Sequence, residues 1–121
     1  MWQIAIDEPV AFELLSPRSL DDAVDLAGRH GRDCVLMAAG TDLLDQLKQR
    51  RLTPRFVINL KTIPGLRSIN VTGDRTSIGA LTTLGQLERH VELRRLCPGL
   101  SLAASRVATP QIRNVGTLGG N

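Results

Sequence analysis

The sequence predicts an α/β (α+β) fold in which short strands alternate with helices and a hairpin follows. Strand-like apolar runs occur at residues 12–15, 34–38 and 56–60, and helical patterns separate them. A glycine-containing turn joins two short segments within residues 69–78, which is typical of a β-hairpin. Helical spacing of apolar residues resumes after residue 83. The order β-α-β-α-β, hairpin, helices therefore favours a single mixed domain.

The first helix is predicted to begin after Ser19, because serine is a good N-cap and acidic residues follow it at the positive helix end. Gly28 and Gly31 bracket its expected end. Its apolar face would consist of Leu20, Ala23, Val24 and Ala27.

The next two strands are predicted to be buried. The run at residues 34–38 passes through a glycine turn into a helix that reaches about residue 50, with Thr41 or Asp42 as its N-cap. Pro54 marks the beginning of the third strand at residues 56–60.

In the second half of the chain, residues 69–71 and 76–78 are predicted to form the hairpin. Thr83 is expected to open a helix that carries Leu84, Leu87 and Val91 on one face. Pro98 and Gly99 should break the chain, and a further helix at residues 100–107 should end at Pro110.

Composition excludes several classes of function. The 121 residues carry a net charge of +3, but basic residues are scattered and aromatic residues are only 2%, so we expect no nucleic-acid partner. No apolar run is long enough to cross a membrane. Residues 1–8 lack the features of a secretory signal, which favours a cytoplasmic location.

Few residues have the chemistry of a catalytic or metal site. Cys34 and Cys97 are far apart, and His30 and His90 are isolated on charged stretches, where surface histidines are expected. We therefore predict no catalytic residue and no metal site in this chain. If the protein is an enzyme, its reactive atoms belong to a cofactor.

Two glycine loops are the candidate binding elements. The first, residues 38–42, joins a buried strand to a helix start, where N–H groups favour an anion. The second, residues 115–121, has three glycines, and its N–H groups are expected to form a nest for phosphate oxygens. Neither matches a Rossmann or P-loop motif. The loops favour a phosphate-bearing organic cofactor, although turns without a ligand remain an alternative.

Three segments, in the same order, resemble a known family. Residues 39–44, 78–84 and 108–121 are similar to the flavin-binding medium subunit of the molybdenum hydroxylases, the xanthine dehydrogenase, aldehyde oxidoreductase and carbon monoxide dehydrogenase family. The resemblance extends from about Phe12 to the end of the chain. The family often has glycine where this chain has Ala39, which would be strained by about 1 kcal/mol if the position needs a positive φ.

The resemblance implies a flavin-binding domain of the vanillyl-alcohol oxidase (PCMH) type that holds FAD. The loop at residues 37–43 would wrap the pyrophosphate, and the segment at Gly79 and Ala80 would line the same cavity. The loop at residues 117–121 would close on the pyrophosphate and the ribityl chain from the other side. Apolar contacts to the flavin or its ribityl chain would come from Ile112 and Leu118, with core packing as the alternative. The implied FAD-binding residues are Met37, Ala38, Ala39, Gly40, Thr41, Asp42, Leu43, Gly79, Ala80, Thr109, Ile112, Gly116, Thr117, Leu118, Gly119, Gly120 and Asn121.

The resemblance also implies partners in a heterotrimer. A large subunit would carry molybdopterin and a small subunit would carry two [2Fe–2S] clusters, so neither group is expected in this chain. Electrons would pass from the clusters through FAD to NAD or another acceptor.

By the same resemblance, residues 1–121 are the N-terminal part of one FAD-binding domain, without its remainder or a C-terminal domain. We expect the chain to fold at least partly but to bind FAD poorly alone, since a terminal carboxylate at Asn121 would repel the pyrophosphate. A stand-alone oxidase of the same fold is disfavoured, because the chain has no tyrosine and its histidines lie outside the loops. A non-catalytic fragment that acts only as an interaction module for partner subunits is the remaining alternative.

Overall fold

The computed structural model describes residues 10–121, and the segment tested for a secretory signal lies outside them. The expected alternation of strands and helices with one hairpin is confirmed. The elements are β1 (Glu13–Leu15), α1 (Leu20–His30), β2 (Cys34–Met37), α2 (Leu43–Lys48), β3 (Phe56–Asn59), β4 (Ile69–Thr72), β5 (Arg75–Ile78), α3 (Leu84–Arg89), α4 (Val91–Leu96), α5 (Pro98–Ser105) and α6 (Pro110–Arg113).

A three-stranded parallel sheet organises the first half of the chain. Its order is β1-β3-β2, so β3 lies in the centre and its Val57 and Ile58 are completely buried. On one face, Ile58 packs with Ala23 of α1 and with Ile63. The unbroken apolar run of β3 fits a strand that is covered on both faces. The expectation that β2 is also buried is wrong, because β2 lies at the edge of this sheet and its Leu36 is 55% exposed.

Both ends of α1 follow the sequence signals closely. The Ser19 hydroxyl accepts a hydrogen bond from the Asp22 N–H at 3.1 Å. The helix continues through Gly28, and Gly31 alone ends it with φ +52° while its N–H bonds to the Ala27 carbonyl. The ring of His30, predicted to be on the surface, is half-buried, and its centroid lies 3.9 Å from that of Phe56.

The second half of the chain builds its own core. The buried side chains of Leu84, Leu87, Leu93 and Ala104 bring α3, α4 and α5 together. The hairpin of β4 and β5 is antiparallel and packs Ile69 and Ile78 against this cluster. The hairpin therefore serves as a wall for a helical core rather than as an extension of the parallel sheet.

The start of α3 has a complete capping box. The Thr83 hydroxyl accepts from the Gln86 N–H at 3.2 Å, and the Gln86 side chain accepts from the Thr83 N–H at 2.9 Å. The expectation that Val91 shares the apolar face of this helix is wrong. His90 adopts extended backbone and caps a new helix, α4, through Nδ1 and the Leu93 N–H, so Val91 is 81% exposed.

Two prolines expected to interrupt helices instead begin them. Pro98 is the first residue of α5, which ends at Ser105, so the predicted range of residues 100–107 is wrong at both ends. Pro110 is the first residue of α6, where the Thr109 hydroxyl accepts from the Ile112 N–H at 3.3 Å. Proline has no N–H to satisfy, which makes it suitable for a first helical turn.

We expect Gly79→Ala to destabilise the fold strongly. A Cβ at this position would overlap the Leu66 carbonyl and lie 3.0 Å from the Ser68 nitrogen, and these backbone atoms cannot move aside easily. The free energy of unfolding should fall by about 1–3 kcal/mol or more in thermal or denaturant unfolding.

Gly28→Ala is the matched control, because a Cβ there meets nothing within 4 Å and the residue lies within α1. This change should raise stability by about 0.5–1 kcal/mol. Equal effects of the two substitutions would contradict the close backbone approach at Gly79.

Candidate functional site

The first wall of the candidate site is the turn between β2 and α2. Gly40 has φ +84°, and a Cβ there would lie 3.3 Å from the Met37 sulfur and 3.4 Å from Leu44 Cγ. This is the residue of the turn that needs glycine. Ala39 does not have a positive φ, so the strain considered for alanine at that position does not arise.

The N-terminus of α2 leaves backbone donors available. Asp42 is the N-cap residue, but its side chain makes no capping hydrogen bond. In the described part of the chain, the N–H groups of residues 40–43 donate to no protein acceptor, and the first such bond of the helix is Leu44 N–H to the Gly40 carbonyl at 3.0 Å. This wall therefore presents unpaired N–H groups of the type that bind anions.

The second wall is the segment after α6, which is fastened to the residues before α3. Thr83 and Thr117 face each other in an antiparallel bridge. The Leu118 N–H donates to the Thr82 carbonyl at 2.9 Å, and the Leu84 N–H donates to the Gly116 carbonyl at 2.9 Å. A short piece of β-ladder thus holds the glycine-rich segment in place.

The N–H groups of this segment do not form the expected phosphate nest. The Gly119 N–H donates to the Ala80 carbonyl at 2.8 Å, and the Gly120 N–H donates to the Thr117 hydroxyl at 3.1 Å. With Gly116 and Leu118 also bonded within the protein, most donors of the loop are used structurally. The expectation was wrong because a glycine-rich sequence does not reveal which of its donors the fold consumes.

The glycines of this segment permit close packing instead. A Cβ at Gly119 would lie 2.9 Å from both Cβ and the carbonyl oxygen of Ala80. A Cβ at Gly120 would lie 2.9 Å from the Thr117 hydroxyl and 3.1 Å from Ala38 Cβ. Gly120 is therefore the point at which the two loops come together.

A cavity of about 180 Å³ opens between the two walls. Sites for whole drug-sized ligands commonly measure about 300–1,000 Å³, so this cavity suits one portion of a longer ligand. Of the residues predicted to bind the cofactor, those that line it are Met37, Ala38, Ala39, Gly40, Thr41, Asp42, Leu43, Ile112, Gly116, Thr117, Gly120 and Asn121.

The other predicted residues do not line the cavity. The Ala80 carbonyl accepts from Gly119 of the last loop, and the Gly79 N–H donates to the Ser68 carbonyl. Thr109 caps α6, and Leu118 packs against the helical core cluster. The structure adds four lining residues that the sequence interpretation had not singled out as cofactor ligands, Leu36, Leu84, Val107 and Ala108. Leu84 could have been found from the sequence, because it directly follows Thr83, the residue that caps α3.

Comparison with known proteins identifies the architecture around this cavity. Residues 10–121 match the family model described as the FAD binding domain in molybdopterin dehydrogenase. That match extends over nearly the whole chain.

The chain belongs to this family of FAD-binding domains.

Relatives agree with this assignment. The carbon monoxide dehydrogenase medium chain of Hydrogenophaga pseudoflava is 39% identical over 113 residues, which are 93% of this chain and 39% of the relative. The nicotinate dehydrogenase FAD-subunit of Eubacterium barkeri is 39% identical over 112 residues, 91% of this chain and 38% of the relative. This chain therefore spans about two fifths of the length of these relatives.

A solved structure agrees as well. Carbon monoxide dehydrogenase from Hydrogenophaga pseudoflava, in a form that lacks the Mo-pyranopterin moiety of the molybdenum cofactor, superimposes with a TM-score of 0.89. The match covers 93% of this chain and 39% of that chain at 39% identity. The resemblance to the flavin subunits of molybdenum-containing oxidoreductases is confirmed. In residues 10–121, no helix is long and apolar enough to cross a membrane.

We expect Thr117→Val to loosen the second wall. Valine fills the same buried space but removes the hydroxyl that accepts the Gly120 N–H. The free energy of unfolding should fall by about 1 kcal/mol, and the Gly120 amide should exchange faster with deuterium.

Thr76→Val in β5 is the control, because Thr76 is exposed and makes no side-chain hydrogen bond within residues 10–121. Thr76→Val should change neither the free energy of unfolding nor the exchange rate of the Gly120 amide appreciably. An unchanged Gly120 exchange rate in Thr117→Val would show that the hydroxyl does not hold the loop.

Proposed function

We propose that the chain binds FAD in the cavity between the two loops, as the flavin-holding part of a molybdenum-containing oxidoreductase. The observation that carries the proposal is the set of unpaired N–H groups at residues 40–43, which line a cavity that Gly120 lines as well. Backbone donors at the end of a parallel strand and the start of a helix are suited to a pyrophosphate.

The two walls have different tasks in this proposal. The β2–α2 turn supplies hydrogen-bond donors to the phosphate oxygens. The segment from Gly116 to Asn121 supplies shape, because its own donors are mostly consumed. Ala80, Leu118 and Gly119 then act by holding this second wall, and Gly79 packs the backbone before Ala80 against Leu66 and Ser68. Ile112 and Leu84 contribute apolar surface to the cavity.

Two glycines in the walls of the cavity are consistent with a bound FAD. A Cβ at Gly40 would crowd Met37 and Leu44, and a Cβ at Gly120 would crowd Thr117 and Ala38, so both glycines keep the walls close without filling the cavity. When bound, FAD supplies the ability to accept electrons and pass them to a further acceptor. The chain's own residues would bind the cofactor, orient it and exclude water.

We further propose the assembly that the family resemblance implies. Residues 1–121 would be the N-terminal part of one FAD-binding domain. A large molybdopterin subunit and a small iron–sulfur subunit would be its partners, and electrons would leave through FAD to NAD or another acceptor. The cytoplasmic location expected from the sequence stays a prediction.

A titration of the chain with FAD tests the proposal. Flavin fluorescence should be quenched to saturation, with weaker binding than that of the whole Hydrogenophaga pseudoflava medium chain. The titration is repeated with the remaining segment of that relative added. Quenching in neither titration would contradict the proposal and favour a chain that acts only as an interaction module.

Gly40→Ala should weaken FAD binding about tenfold. The substitution forces alanine to adopt φ +84°, which costs about 1–2 kcal/mol, and the turn relieves this strain by moving its N–H groups. The matched control is Gly73→Ala in the hairpin turn, where φ is +56° and a Cβ meets nothing within 4 Å.

Both substitutions should lower thermal stability, since both impose a positive φ on alanine, and Gly40→Ala should lower it more because its Cβ also crowds Met37 and Leu44. Only Gly40→Ala should weaken the binding of FAD. Equal FAD affinities for the two variants would place the phosphate site elsewhere.

A further inference from the structure

The wall of the cavity at Val107 and Ala108 is a tight and unusual turn. It follows α5 and precedes Thr109, and both residues line the cavity. Ala108 has φ +45°, one of two positive values among the non-glycine residues of the described chain. A non-glycine residue in this region is strained, and it keeps the conformation only when its surroundings impose it.

Arg113 of α6 supplies such surroundings. Its guanidinium donates to the Val107 carbonyl at 3.0 Å and to the Ala108 carbonyl at 3.4 Å through one terminal nitrogen. Its Nε donates to a carboxylate oxygen of Glu88 in α3 at 3.2 Å. The Arg113 side chain is 13% exposed, so these contacts are largely shielded from water.

The geometry of the guanidinium explains why arginine occupies this position. One planar group reaches a carboxylate on one helix and two carbonyl oxygens on the facing turn at the same time. A lysine ammonium is a single point of charge and cannot match this fork. The Glu88 carboxylate fixes the rotation of the group, and hydrogen bonds to charged partners are stronger than neutral ones.

We propose that Arg113 is a positioning residue for the cofactor site, and that Glu88 orients it. Arg113 does not itself line the cavity, but it donates hydrogen bonds to two residues that do, Val107 and Ala108. It acts by holding the Val107–Ala108 turn as a fixed part of the wall. This inference rests on the proposed FAD site for its effect on binding, but the holding of the turn can be tested without FAD.

The first test uses hydrogen exchange of the full chain in the absence of FAD. The Val107 N–H bonds to the Ala104 carbonyl at 3.3 Å and reports on the turn. In Arg113→Gln, this amide should exchange about tenfold faster than in the wild-type chain. Glu88→Ala should have a smaller effect, and Glu88→Gln the smallest, because the amide oxygen of glutamine still accepts from Nε.

The second test measures FAD affinity by flavin fluorescence on the same variants. Arg113→Gln should weaken binding about fivefold, with the Glu88 variants in the same order as in hydrogen exchange. Ser19→Ala is the control for general destabilisation, because it removes the cap of α1, far along the chain from this turn. It should lower thermal stability without changing Val107 exchange or FAD affinity.

The outcomes separate the two proposals. Unchanged Val107 exchange in Arg113→Gln would overturn the positioning role, whatever the wild-type chain does with FAD. Faster exchange with unchanged FAD affinity would also overturn it, because the turn would then be irrelevant to binding. If the wild-type chain fails to bind FAD but exchange responds as expected, the proposed function fails while the holding of the turn stands.

Discussion

The short antiparallel bridge between Thr83 and Thr117 is the constraint on which the candidate site depends. Four backbone hydrogen bonds or caps meet there: two ladder bonds flank the bridge, the Gly119 N–H reaches Ala80, and Thr83 itself caps α3. The bridge therefore ties the end of the described chain to the helical core. Without it, the second wall would have no fixed distance from the β2–α2 turn, and the cavity between them would not be defined.

The bridge also explains the glycines around it. Backbone ladders bring two main chains close together, and at Gly119 and Gly120 the approach leaves no room for a Cβ between the segment and Ala80 or Ala38. These glycines are needed for close packing and not for an unusual backbone conformation, because neither has a positive φ. Gly40 on the opposite wall is different, because its φ of +84° turns the chain and leaves the following N–H groups unpaired. Glycine thus permits close packing in one wall and leaves backbone N–H donors available in the other.

Local sequence signals predicted much of this fold and its site. Ser19 and Thr83 were sufficient to place two capped helices, and the apolar runs placed the strands β2 and β3. The turn around Gly73 placed the hairpin, because each of these signals acts within a few residues. The errors arose where a signal has two meanings. Pro98 and Pro110 suit a helix start as well as a helix end, and His90 became a cap only because its ring nitrogen met the Leu93 N–H. The lining residue Val107 and the role of Arg113 could not be found locally, since Arg113 reaches Glu88 across 25 positions of sequence.

Backbone strain also differs between positions that pack closely and positions that line the cavity. Where only the backbone approaches another segment, the chain uses glycine and carries no φ strain. Ala108 lines the cavity although its φ is +45°, a conformation that glycine would adopt without strain. Retaining alanine requires interactions that stabilise the turn from outside, and the largely shielded guanidinium of Arg113 provides them through the two carbonyl groups of the turn. The ion pair with Glu88 thus matters less for the attraction of opposite charges than for the direction in which it points the donors of Arg113.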